Sequence, residues 1–187
     1  MKGNRRLLLA GAIAAAVILA VPAMALASVW KDGGTKVEKL VEIGLTGTEI
    51  FETAPTGETK NGMICSVHAT LATEGGSEGK ISKFETKSCG SGFGSFAKCE
   101  LSTNEGKTPW NIDVNTSDLT ITGWHTKRTF KTGCPTTELN KTVTSVTVTL
   151  NTPAAITEME WKGEITGYTT RGSFSVDAPN SGTYGIG

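Results

Sequence analysis

Histidine is scarce in this chain, and the motifs usually built on it are missing. Only His68 and His125 occur in 187 residues, and neither stands at a metal-ligand spacing from another histidine or from a cysteine. No two cysteines form a C-x-x-C pair, so no metal and no cofactor is expected. A Ser-His-Asp hydrolase needs an exposed nucleophile turn, and the chain has no G-x-S-x-G; Gly90-Ser91-Gly92 and Gly94-Ser95-Phe96 lack that frame. A basic stripe is also missing. Beyond the first residues there is no long apolar run, so no lasting membrane insertion is expected.

The beginning of the chain is different. Met1-Lys2-Gly3-Asn4-Arg5-Arg6 is basic, Leu7 to Val21 is apolar, and Ala25-Leu26-Ala27 supplies the small residues a signal peptidase requires. Residues 1–27 therefore read as a Sec-type signal peptide cut before Ser28, which makes the protein secreted or associated with the cell envelope. Eighteen basic and eighteen acidic residues balance over the whole chain. Removing Lys2, Arg5 and Arg6 with the leader leaves fifteen against eighteen, a net charge of −3 with both signs scattered. A nucleic-acid partner is not expected.

Cys65, Cys89, Cys99 and Cys134 all lie in one stretch of an exported chain, which predicts two disulfides. A hairpin turn near Gly76-Ser77 brings Cys65 almost opposite Cys89, and a turn at Thr116-Ser117 places Cys99 opposite Cys134. This favours Cys65–Cys89 with Cys99–Cys134. Pairing Cys89–Cys99 with Cys65–Cys134 stays open.

The remaining pattern is that of strands. Met63, Cys65, Val67, Ala69 and Leu71 alternate with mostly polar residues, the period of a half-buried strand. Ile81 and Phe84 are three apart, which predicts a bulge. Glu49-Ile50-Phe51 starts a short strand that Pro55, Gly57 and Asn61-Gly62 break off. Gly90 to Ser95 reads as a link, Phe96 to Leu101 as a strand and Thr103 to Thr108 as a turn. Trp110 to Val114, Leu119 to Phe130, Lys141 to Leu150, Met159 to Ile165 and Gly172 to Val176 complete the strands. An all-β fold follows: an antiparallel β-sandwich or, alternatively, a closed β-barrel. The expected organisation is a lead of undecided structure at 28–45, one β-domain at 46–178 and a mobile tail at 179–187.

Three tryptophans, Trp110, Trp124 and Trp161, are candidate ligand-contact aromatics, although the same alternation also suits core positions. Glu158 and Glu160 share an outward strand face, with Glu164 on the same strand. Carboxylates of this kind could serve a glycosidase, and a solvated face explains them equally well. Asn115-Thr116-Ser117 and Asn140-Lys141-Thr142 fit the N-glycosylation sequon.

The series Ile64-Cys65, Thr86-Lys87-Ser88-Cys89, Lys98-Cys99-Glu100-Leu101, Thr108-Pro109-Trp110 and Phe130-Lys131-Thr132-Gly133-Cys134 resembles small secreted proteins of high-GC Gram-positive bacteria with no assigned activity. It is more distantly similar to the secreted alkane-oxidation activator family. The resemblance covers about residues 60 to 150 and implies no catalytic residue. The expected function is a non-enzymatic secreted or envelope-associated binding or structural module. An extracellular carrier of a small apolar ligand is the alternative, and a carboxylate-based hydrolase the third reading.

Overall fold

The computed structural model describes residues 28–54 and 59–187. The expected signal peptide, and the turn residues Pro55 and Gly57, lie outside the described residues. The strands are β1 (Trp30–Asp32), β2 (Thr35–Lys36), β3 (Val41–Thr53), β4 (Asn61–Thr73), β5 (Glu78–Phe93), β6 (Leu101–Gly106), β7 (Trp110–Val114), β8 (Asp118–Phe130), β9 (Glu138–Leu150), β10 (Glu158–Ile165), β11 (Tyr168–Val176) and β12 (Tyr184–Ile186). A single 3-10 turn, Gly94–Phe96, follows β5.

The large sheet closes on itself. Its order is β4-β3-β11-β10-β9-β8, then a place shared by β6 and β7, then β5, which pairs back onto β4. This is an eight-stranded antiparallel barrel, the second of the two architectures that the pattern allows. Closure removes the unpaired edges an open sheet would expose. The shared place is one strand broken at Lys107-Thr108-Pro109, where proline has no N–H to give the ladder.

Strand β8 crosses the whole interior. Its inward residues run Leu119, Ile121, Trp124, Thr126, Arg128 and Phe130, from an aliphatic layer through tryptophan and polar layers to phenylalanine. The step of three from Ile121 to Trp124 is taken at Gly123, whose φ of 74° is a left-handed conformation suited to glycine. Bulky rings fit because facing positions are empty. A Cβ on Gly172 would lie 2.9 Å from the Trp161 ring and against the Thr48 carbonyl, and one on Gly106 would lie 2.8 Å from Phe84. Gly47 and Gly163 likewise face Phe174 and the Val143 and Val146 side chains.

Both barrel ends are closed. At one end β1, β2 and β12 form a small antiparallel sheet. Trp30, 1% exposed, donates its backbone N–H to Gly76 (3.0 Å) there, and Ile186 is also buried. The lead at 28–45 thus becomes two short strands and the start of β3. The expected mobile tail at 179–187 instead supplies β12, fixed by pairing Trp30 to Ile186 and Asp32 to Tyr184. This pairing joins residues from opposite ends of the chain, and local patterning does not reveal it. At the other end Phe96 packs on Phe51 and Phe130 at centroid distances of 6.2 and 5.2 Å. That requirement overrides the strand expected at Phe96 to Leu101. The chain turns at Gly94–Phe96, and the strand begins at Leu101, where a turn was expected from Thr103. Strand β5 also runs through the expected link to Phe93, and β3 is thirteen residues long rather than short.

Candidate functional site

The disulfides are Cys65–Cys89 and Cys99–Cys134. Bulges in β5 make the first one: register is lost between Thr70/Leu71 and Ser66/Val67, so Ser82 and Lys87 are extra residues. Without them Cys65 would face Lys87, and with them it faces Cys89. The second joins the segment after the 3-10 turn to the β8–β9 loop, where it holds the Phe96 end shut. In the chain-entropy model each closure is worth about 3–4 kcal/mol.

Trp110, Trp124 and Trp161 lie inside the barrel, each 2% exposed or less. They form a column, with centroids 4.1 Å apart between the first two and 4.4 Å between the last two, continued by Phe174 at 5.9 Å from Trp161. Phe84 packs on its flank, 5.1 Å from Trp110 and 5.3 Å from Trp124. The Trp110 indole N–H donates to the Lys107 carbonyl at 3.0 Å. As candidate ligand contacts, Trp110 and Trp124 would be reached only from within a packed interior, while Trp161 also borders, beside Gly172, the floor of a groove on the outer face. The void left in the neighbouring aliphatic layer, among Leu45, Leu71, Ile112, Met159 and Phe174, is about 10 Å³.

Below the tryptophans lies a polar layer that the sequence pattern did not single out. Glu49 and Arg128, both 0% exposed, form an ion pair. Thr170 donates to the same Glu49 oxygen at 3.1 Å, and Asn104 reaches the other at 3.4 Å. Asn104 also bonds Thr86. The other Arg128 terminal nitrogen donates to Thr126 (2.8 Å) and Tyr168 (2.7 Å), and its guanidinium sits 4.4 Å over the Phe51 ring. Burial disfavours the charged guanidinium, but the adjoining Glu49 carboxylate and Tyr168 together outweigh it, and the Arg128 pKa is raised. Burial raises the Tyr168 pKa. Only Arg128 Nε and Asn104 Oδ1 lack a partner in this layer among the described residues. One signal was available: Arg128 occupies an inward position of β8, two residues from Thr126 and two from Phe130.

One concave feature on the outside is a groove of about 620 Å³ across β9, β10, β11 and β3; smaller depressions of about 390 and 230 Å³ lie beside Leu40 and His68. Register aligns the groove's lining into two transverse rows. Thr149, Glu160, Ser173 and Thr48 make the first, and Thr147, Lys162, Arg171 and Ile50 the second. Lys162 is held by Glu164 at 2.9 Å and Arg171 by Glu52 at 3.0 Å. Burial acts to raise the Glu52 pKa, yet hydrogen bonds from Lys60 and Arg171 outweigh it and the carboxyl is lowered. Of the acidic residues considered for hydrolysis, Glu160 lines the groove, Glu158 shares its outward face, and Glu164 serves Lys162. His68 is exposed, and the His125 Nε2 pairs with the Asn140 Oδ1 at 2.6 Å. The sequon asparagine Asn115 is tied to Asp118 and Thr120.

No protein-family model, curated protein or solved structure matches this chain at a significant level. Among the described residues no group of three or more His, Cys, Asp or Glu is placed to hold a metal ion, and no helix is long and apolar enough to cross a membrane. The two disulfides suit an oxidising, extracellular setting.

Proposed function

We propose that this protein is a secreted or envelope-associated, non-catalytic β-barrel that works by binding at its outer surface. The observation that carries this reading is the contrast in free volume. A carrier would enclose a cavity of several hundred Å³, whereas the aliphatic layer keeps about 10 Å³ and the outer groove offers about 620 Å³. Secretion rests on the leader at 1–27 together with the two disulfides. A carboxylate hydrolase would need an acid and a base held in distinct environments, while Glu158, Glu160 and Glu164 all stand exposed on one strand.

The test is mass spectrometry and fractionation on protein from its own culture. The denatured mass should correspond to residues 28–187 less four hydrogens. The native mass should carry no apolar ligand, and the protein should be retained by isolated envelope material. A co-purifying apolar molecule would establish the carrier instead, and hydrolysis of envelope material abolished by Glu160→Gln would establish the enzyme.

A further inference from the structure

The groove has a chemistry of its own. Some hydroxyls elsewhere on the barrel surface are paired within the protein, Thr103 with Thr129 at 2.6 Å, Thr120 with Asn115 at 3.0 Å and Thr157 with Asn151 at 2.6 Å; what distinguishes the groove is that several unpaired ones gather in one concave place. Among the described residues, the side chains of Thr48, Thr147, Thr149 and Ser173 have no such intramolecular partner, and the Glu160 carboxylate has no ion pair. Four hydroxyls and a carboxylate therefore face one cleft with their hydrogen-bonding capacity unspent, in rows that register holds at the strand spacing of about 4.8 Å.

Charge narrows the ligand class. The two cations in the groove, Lys162 and Arg171, are each neutralised by a neighbouring carboxylate, so a polyanion would meet Glu160 with little net positive charge to hold it. An apolar ligand would strip water from the hydroxyls and give them no partner, which disfavours it. A ligand dense in neutral donors and acceptors satisfies both constraints. From these features we infer that the groove binds a neutral glycan chain. Its hydroxyls exchange hydrogen bonds with the Thr/Ser rows and Glu160, and a less polar sugar face lies against Ile50. Four strands give a cleft about 14 Å across, enough for a short run of sugar units. This assignment rests on the surface-binding reading and gives it a ligand class.

The experiment is affinity electrophoresis of the processed protein in gels containing dextran, mannan or arabinogalactan, with alginate and heparin as acidic comparators. At least one neutral polymer should retard the protein, and high salt should not abolish the effect. Ser173→Trp, which fills the groove from an exposed position, should weaken that binding at least tenfold. Glu160→Gln should weaken it several-fold, and Thr142→Trp, outside the groove on β9, should leave it unchanged. Retardation by the acidic polymers alone, by none of the five, or equally for Ser173→Trp would overturn the glycan site. Retention of the Ser173→Trp protein on envelope material at the wild-type level would remove this site and leave the binding-module reading standing. Loss of envelope retention by the wild type would remove the reading itself.

Discussion

The interior polar layer and the outer groove are made of nearly the same parts. Each sets a glutamate among threonine hydroxyls with an arginine close by. Inside, Glu49 takes hydrogen bonds from Arg128, Thr170 and Asn104, and Arg128 reaches Thr126 and Tyr168 as well. Outside, Glu160 and the flanking hydroxyls make no side-chain hydrogen bond or ion pair among the described residues. Residue type does not separate structure from function here; saturation does. A buried polar cluster has to find its hydrogen bonds within the protein because none can come from solvent, and here all but Arg128 Nε and Asn104 Oδ1 do. A surface cluster that leaves them incomplete stays available to a ligand.

Breaking the inner cluster should have the largest effect. Arg128→Met strands the Glu49 carboxylate in the barrel, which should cost about 3–5 kcal/mol in urea unfolding. The double change Glu49→Leu/Arg128→Met should recover much of that loss, because it removes both charges together. A double variant no better than the single one would mean that the layer acts through packing rather than charge.

The wall between the two clusters comes next. Gly172 lies on β11 between Arg171 and Ser173 of the groove, with the Trp161 ring behind it. Gly172→Ala should destabilise by about 1–3 kcal/mol through overpacking and perturb the groove with it. An unaffected unfolding midpoint would show that the tryptophan column yields easily.

Acid should act beside the groove through Glu52. The Glu52 pKa is lowered in the folded state, so its contribution is fully present above the ordinary carboxylate value of 4.5 and is lost as pH falls through the lowered one. The unfolding midpoint should drop as pH falls below that value, and by less in Glu52→Gln. Equal drops in the two proteins would contradict the Lys60–Glu52–Arg171 bridge.

The smallest stability effect should be that of Ser173→Trp, within about 0.5 kcal/mol of wild type.

Much of the barrel could be read from the chain in advance. Alternation from Met63 to Leu71 put Cys65 inside, the Ile81–Phe84 spacing located a bulge, and turn positions favoured the disulfides that form. What escaped prediction depends on distant partners. Trp30 and Ile186 become strands only by finding each other, and Phe96 leaves a strand pattern to close the barrel on Phe51 and Phe130. The groove was the least legible feature. Thr48, Thr147 and Ser173 are unremarkable along the chain and become a site only when four strands are set in register. Of the groove's lining, only Glu160 and Trp161 stand out in the sequence, the first for a different chemistry. The tryptophans drew attention by type, and glycines at facing positions, which make room for them, place them inside.

The most direct test titrates the neutral polysaccharide that retards the wild-type protein against wild type, Ser173→Trp and Glu49→Leu/Arg128→Met under identical conditions. If the groove is the binding site and the inner layer only supports the fold, the surface variant loses at least tenfold in affinity at unchanged stability. The interior variant, folded, binds as wild type does. Loss of binding in the interior variant, with Ser173→Trp still binding normally, would contradict the account.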